Sequence, residues 1–139
     1  MNVTIFKTTG SGQASIRVPA SKSLSHRALI AAALACGESR LYGLAQNDDI
    51  RATVRCLRQL GAVIETDAGT AVVKGIGTHL AEAALGNCVP SMFSGFDGSL
   101  VDCGESGSTL RFLLPLFAQS GKRCVFTGGG RLMERPQSV

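Results

Sequence analysis

Ser21-Lys22-Ser23-Leu24-Ser25-His26-Arg27 lies between a strand-like run, Ser15-Ile16-Arg17-Val18, and a run of strong helix formers, Ala28 to Cys36. Pro19 ends the strand, and Gly37 supplies a helix stop. The stretch therefore sits at a helix start, where backbone N–H groups have no intrahelical acceptor and the helix dipole is positive. Two cations and three hydroxyls collected there form an anion site whose parts all favour the same charge. The competing reading is plain capping by Ser21 or Ser23, with Lys22 and Arg27 as solvated charges. Against it, the dipole disfavours cations at that end by a few tenths of a kcal/mol, roughly, unless an anion is bound. The spacing is not that of a Walker A loop, because no Gly directly precedes Lys22.

Working outward, Arg40-Leu41-Tyr42 reads as a strand, and Asn47-Asp48-Asp49 opens a second helix with acidic residues at its positive end. Ile50, Val54, Leu57 and Leu60 share one face of that helix, while Arg51, Arg55 and Arg58 lie on the other. Ala62 to Glu65 and Ala71 to Lys74 form a hairpin across Asp67-Ala68-Gly69. The helix at Ala28 to Cys36 is apolar nearly all round and is expected to be deeply buried. Downstream, Ser99 to Cys103 reads as a strand and Ser108 or Thr109 as a helix start. Pro115 should kink that helix or make it irregular, and Arg123 to Thr127 gives a last strand. The segment from His79 to Phe96 has no clear periodicity beyond a short helix at Leu80 to Leu85.

A repeat emerges from this order. Arg27 enters a helix and Gly37 follows; Arg111 enters a helix and Gly121 follows, at the same ten-residue interval. Each helix is preceded by a Ser/Thr-rich turn, so Glu105-Ser106-Gly107-Ser108-Thr109-Leu110-Arg111 becomes a second anion site of the same design. Gly107 admits close approach to the backbone, and Arg111 suits bidentate grip of a carboxylate or phosphate. A third cluster, Gly128-Gly129-Gly130-Arg131-Leu132-Met133-Glu134-Arg135-Pro136, adds Arg131 after a glycine turn, with Glu134 and Arg135 as an ion-pair candidate. Asp48 and Asp49 are explained as helix-start residues, Asp102 is a further candidate carboxylate, and His26 is left outside the chemistry.

Composition narrows the partners. The 139 residues are 45% hydrophobic and 17% charged, with a net charge of +4, which marks an ordered domain suited to anions. Aromatics are only 5%, and no basic run is interleaved with them, so no nucleic-acid partner is expected. No apolar run reaches membrane-spanning length, and no signal peptide is evident at the N-terminus. The five cysteines are scattered and never form a C-x-x-C pair, so buried reduced thiols of a cytoplasmic protein are expected, with neither a disulfide scaffold nor a metal site. The chain ends just after Pro136, where a new helix would open, and it reads as an incomplete unit.

Three collinear motifs, Ser21 to Leu29, Gly104 to Arg111 and Gly130 to Pro136, with Asn47-Asp48-Asp49 and Leu60-Gly61-Ala62, resemble the N-terminal part of the 5-enolpyruvylshikimate-3-phosphate synthases (3-phosphoshikimate 1-carboxyvinyltransferases). Only the region 80–100 departs, as an expected insertion, while Glu105 and Met133 stand where many relatives carry other residues. The resemblance implies an α/β (α+β) fold of repeated βαβαββ units: one complete unit at about 21–78 and part of a second at about 98–139. Residues 1–20 would pack with the other domain of the enzyme. It implies transfer of the enolpyruvyl group of phosphoenolpyruvate to the 5-hydroxyl of shikimate 3-phosphate, on the shikimate pathway to chorismate and the aromatic amino acids, without metal or organic cofactor. Lys22 would touch both substrates as the catalytic lysine. Ser23 and Arg27 would hold shikimate 3-phosphate, and Gly107, Arg111 and Arg131 would line the phosphoenolpyruvate side, where glyphosate competes. The family's acid and base carboxylates lie later in its chain, so the partner implied is the remainder of the same enzyme, and these 139 residues are expected to be inactive alone. Two alternatives stand beside this: a non-catalytic anion-binding or interaction module, and the enolpyruvyl transferase acting on UDP-N-acetylglucosamine, which has Lys-Asn where this chain has Lys22-Ser23.

Overall fold

The computed structural model describes residues 18–77, 96–98 and 100–136, together with Thr4, Ser15 and Ile16. The expected strand at 3–6, the short helix at 80–85 and the insertion at 80–100 fall wholly or mostly outside these residues, whereas the strand expected at 15–18 is not formed at its described residues, Ser15, Ile16 and Val18, which are exposed.

Among the described residues, three helices and five short strands follow in order. These are α1 (Lys22–Leu34), β1 (Glu38–Leu41), α2 (Asp48–Gln59), β2 (Val63–Asp67), β3 (Thr70–Lys74), β4 (Leu100–Asp102), α3 (Gly107–Ala118) and β5 (Val125–Thr127). β3 pairs antiparallel with β1 on one side and β2 on the other, giving the order β1-β3-β2, and the β2–β3 hairpin turns through Ala68-Gly69 as expected. β4 and β5 pair in parallel, so α3 is the crossover that such a pair requires. The mixed α/β class read from the sequence is the class observed. α2 is the central element: it packs against α1 and α3 and also touches β2 and β4. Its apolar face supplies Ile50, Val54, Cys56 and Leu57 to a core shared with Leu29 of α1, Val73 of β3, Val101 of β4 and Leu113 and Phe117 of α3. Phe96 and Phe126 meet Phe117 edge-on, with ring centroids 4.9 and 5.5 Å away.

Three expectations are corrected. α1 begins at Lys22, six residues before the run that announced it, because Ser21 caps it: its side chain accepts the Leu24 N–H at 3.4 Å. α1 is also not buried all round. Ser25, His26, Leu29, Ala32 and Ala33 face the core, whereas Leu24 and Ala31 are exposed. Alanine is small enough to sit at the surface at little cost, so an apolar composition did not dictate full burial. Finally, α3 runs unbroken through Pro115 from its cap Ser106. Arg111, whose carbonyl loses its N–H partner to that proline, is exposed, as is Pro115 itself. The thiols of Cys36, Cys56, Cys103 and Cys124 are free as expected, although Cys36 is exposed rather than buried.

The C-terminal carbonyls of α1 find partners outside the helix. The chain leaving β3 donates Ile76 N–H to Ala33 O at 2.8 Å and Gly77 N–H to Ala35 O at 3.0 Å, and Gly75 N–H reaches Gly37 O at 2.9 Å. This approach is possible only without side chains, because a Cβ on Gly75 would collide with the carbonyl oxygens of Ala32 and Ala35. Gly75→Ala is therefore expected to destabilise the chain by about 2–3 kcal/mol through overpacking and lost hydrogen bonds. Leu24→Ala, on the exposed face of α1, should change stability by less than about 0.5 kcal/mol. Urea denaturation of both variants checks the pair.

Candidate anion-binding cleft

The site is built where helix starts converge. Ser106 caps α3 by accepting the Thr109 N–H at 3.1 Å, as Ser21 does for Leu24 in α1. Asn47 caps α2 by accepting the Ile50 N–H at 3.0 Å. Each cap leaves first-turn N–H groups and a positive dipole end in the same region. The two arginines are not at identical helical positions: Arg27 is the sixth residue of α1 and Arg111 the fifth of α3.

The loop before α3 and the loop after β5 interlock. Cys103 N–H donates to Thr127 O and Gly129 N–H to Gly104 O, both at 2.9 Å. A Cβ on Gly128 would lie 2.5 Å from Gly104 O. Asp102 stiffens the first loop by accepting Gly104 N–H at 2.8 Å.

A cleft of about 350 Å³ opens between these parts, lined by Lys22, Asp49, Glu105, Gly107, Ser108, Arg111, Leu132 and Arg135. Residues of all three sequence motifs thus share one hollow. Lys22 Nζ is held by Asp49 Oδ2 at 2.6 Å, which draws the half-exposed lysine toward the start of α2. The cleft holds three cations against two carboxylates and adds the N-terminus of α3, a balance that favours an anion. Lys22, Asp49 and Glu105 also border an adjoining hollow of about 550 Å³. A third hollow, about 410 Å³ between α2 and the Ala68-Gly69 turn, is rimmed by Arg51, Arg55 and Arg58. There Asp48 holds Arg51 at 2.9 Å, and Arg58 is spent on the Ile64 carbonyl.

Of the residues singled out in the sequence, Lys22, Gly107 and Arg111 meet in the cleft, whereas Ser23, Arg27 and Arg131 do not line it. Ser23 is exposed in the first turn of α1. The Arg27 guanidinium lies 5.9 Å from the Phe112 ring centroid, leaning from α1 onto α3. Arg131 is largely exposed, with Glu134 at 4.0 Å in the loop after β5. Sequence reasoning gave Asp49 to the helix start, which it does occupy, but missed its hold on Lys22. It also missed Glu105 and Arg135 as lining residues. No group of residues that could hold a metal occurs among the described residues, nor any helix long and apolar enough to cross a membrane.

With this geometry, the comparison with known proteins is direct. The family model described as EPSP synthase (3-phosphoshikimate 1-carboxyvinyltransferase) matches residues 7–138. The chain belongs to the EPSP synthase family. The 3-phosphoshikimate 1-carboxyvinyltransferase of Clostridium novyi is 37% identical over 99% of this chain and 30% of its own length. That of Clostridium kluyveri is 39% identical over 99% of this chain and 28% of its own. The solved EPSP synthase of Acinetobacter baumannii superposes with a TM-score of 0.64 and 28% identity, covering 87% of this chain and 25% of that one. The chain thus spans about 30% of the length of the curated EPSP synthases it matches.

Behind the cleft, His26 is fully buried. Burial lowers its pKa below the usual 6.5; the charge of Lys22 acts in the same direction, and Asp49 opposes them. The sign follows directly. The unfolded chain takes up a proton at His26 below about pH 6.5 and the folded chain does not, so stability is full above that pH and falls as the pH drops toward the depressed folded value. The urea midpoint should therefore decline between pH 7.5 and 5.5, and His26→Leu should flatten the decline. A slope unchanged in that variant would contradict the assignment.

Proposed function

We propose that this chain supplies the N-terminal half-site of an enolpyruvyl transferase that moves the enolpyruvyl group of phosphoenolpyruvate to the 5-hydroxyl of shikimate 3-phosphate. The observation that carries the reading is the shared cleft: Lys22 and Arg111, from helix starts far apart in sequence, line one hollow with Gly107. Two anionic substrates repel each other, and cations placed beside a helix N-terminus reduce that repulsion and stabilise charge as it shifts in the transition state.

Lys22 would contact both substrates, its ammonium already oriented by Asp49. Gly107 and Arg111 would receive phosphoenolpyruvate, with Arg131 joining it from the loop after β5. Ser23 and Arg27, on exposed α1 positions, would face shikimate 3-phosphate. Arginine suits these places because carboxylate and phosphate are planar or multidentate acceptors. The similar capping of α1 by Ser21 and α3 by Ser106 supports two copies of one unit, at about 21–78 and 98–139. The reaction also needs an acid/base pair. Of the two carboxylates in the cleft, Asp49 is engaged by Lys22, and the matched enzymes are more than three times as long as this chain. The remainder of such an enzyme is therefore the proposed partner, and a cytoplasmic location is proposed with it.

Isothermal titration tests the reading. The wild-type chain should bind shikimate 3-phosphate and phosphoenolpyruvate weakly, and it should release no phosphate from the mixture. Arg111→Ala should weaken phosphoenolpyruvate by about 1.5–3 kcal/mol, roughly ten- to a hundredfold, the worth of charge-assisted hydrogen bonds. Arg27→Ala should act chiefly on shikimate 3-phosphate. Equal binding of unrelated polyanions, indifferent to both substitutions, would favour a generic anion-binding module.

A further inference from the structure

Beneath the cleft, a line of buried polar side chains joins α1, α2 and α3. His26 Nδ1 of α1 lies 2.8 Å from Thr53 Oγ1 of α2, and Thr53 Oγ1 lies 2.8 Å from Thr109 Oγ1 of α3. Thr109 Oγ1 lies 2.7 Å from the Ser106 Oγ that caps α3, and 3.3 Å from the backbone carbonyl of Asp49. His26, Thr53 and Thr109 are all fully buried, and His26 Nε2 has no hydrogen-bond partner among the described residues.

Counting protons gives this line a direction. Each threonine hydroxyl has one hydrogen to donate. Thr109 gives its hydrogen to Ser106 Oγ or to the Asp49 carbonyl, the latter having none to give. Thr53 must then donate to Thr109, and its own hydrogen is spent. Only Nδ1–H of His26 remains to fill the contact with Thr53. A neutral imidazole protonated at Nδ1 leaves Nε2 a bare lone pair, which is a cheaper orphan in a buried site than an unpaired N–H. The Phe112 ring, edge-on with its centroid 6.2 Å from that of His26, closes the apolar side.

We infer that His26, as the Nδ1–H tautomer, heads a one-way hydrogen-bond relay through Thr53 and Thr109 to Ser106, and that these are positioning residues. The relay holds the first turn of α3, which carries Gly107 and Arg111, at a fixed distance from the starts of α1 and α2, which carry Lys22 and its partner Asp49. None of the relay residues lines the cleft itself. The inference deepens the functional reading and rests on it for the identity of the anion, but the relay is a claim about this chain alone.

The charged groups facing His26 are Asp49, from the start of α2, and Lys22, one turn below it on α1. α3 presents Phe112 to the imidazole and the Arg27 guanidinium leans on that same ring. Protonation at Nε2 would put a donor with no acceptor into this site, so the relay should persist well below the usual histidine pKa.

Two measurements on the full 139-residue chain test it. Long-range ¹⁵N–¹H spectra of the imidazole should show Nδ1 protonated and Nε2 unprotonated from pH 8 to about 6; the opposite tautomer, or a fast-exchanging mixture, overturns the relay without any variant being made. Phosphoenolpyruvate affinity should then fall about tenfold in Thr53→Val, which keeps the shape and removes the hydroxyl. In Thr53→Ser, which keeps the hydroxyl, it should return to within about twofold of wild type. In an Arg111→Ala background, Thr53→Val should have almost no further effect, because the group it positions is gone. Equal affinity in Thr53→Val and wild type, or equal losses in the valine and serine variants, overturns positioning in favour of simple packing. If the wild-type chain binds no phosphoenolpyruvate, the functional reading fails visibly on its own. The relay is then decided by the tautomer and by whether the Ser106, Gly107 and Thr109 amide shifts move in Thr53→Val but not in Thr53→Ser.

Discussion

Thr53 brings a single hydroxyl to the place where three helices meet, and the arrangement of the cleft depends on what that hydroxyl touches. α2 lies between α1 and α3, and its apolar residues alone would hold the three together with some freedom to slide, since hydrophobic burial is non-directional. Hydrogen bonds are directional, and a buried polar group left without a partner costs about 1–3 kcal/mol. His26, Thr53 and Thr109 therefore restrict the helices to an alignment in which their partners coincide. In that alignment the starts of α1 and α3 face one hollow, and Lys22 comes within 2.6 Å of Asp49.

The second constraint is backbone against backbone. The glycine loops before α3 and after β5 bind each other through Gly129 N–H and Gly104 O, and the parallel β4–β5 pair continues the contact. Neither loop is a site by itself, but their interlock sets Leu132 and Arg135 beside Gly107. At the other end, the glycines after β3 let the chain run directly under the carbonyls that close α1. The cleft is thus a consequence of how elements end, at caps and loops, more than of what fills the core.

Much of this was legible in the sequence. α2 was readable from its cap, its acidic first turn and its amphipathic spacing, and the β2–β3 hairpin from its glycine turn. Ser106 and Gly107 were recognised as belonging to a helix start, although the helix begins at Gly107, one residue before Ser108 and two before Thr109. The early start of α1 was obscured because Ser-Lys-Ser-Leu-Ser has the local propensity of a turn, and only the Ser21 cap turns it into helix. The exposed side of α1 was misread because a run of alanines carries no amphipathic signal. Thr53 could not have been singled out: one threonine in a helix has no pattern, and its partners lie 27 residues before it and 56 after it. The hold of Asp49 on Lys22 is hidden for the same reason. The family resemblance was legible in the order of three short motifs, which no period or composition contains.

The central claim is that the starts of α1 and α3 act as one anion site. Amide chemical-shift mapping of the chain during titration with phosphoenolpyruvate tests it most directly. The account predicts that the amides from Ser21 to Ser25 and from Ser106 to Arg111 shift together along a single isotherm, with the β1-β3-β2 sheet unmoved. Two separate isotherms for the two helix starts, or shifts confined to one of them, would contradict it.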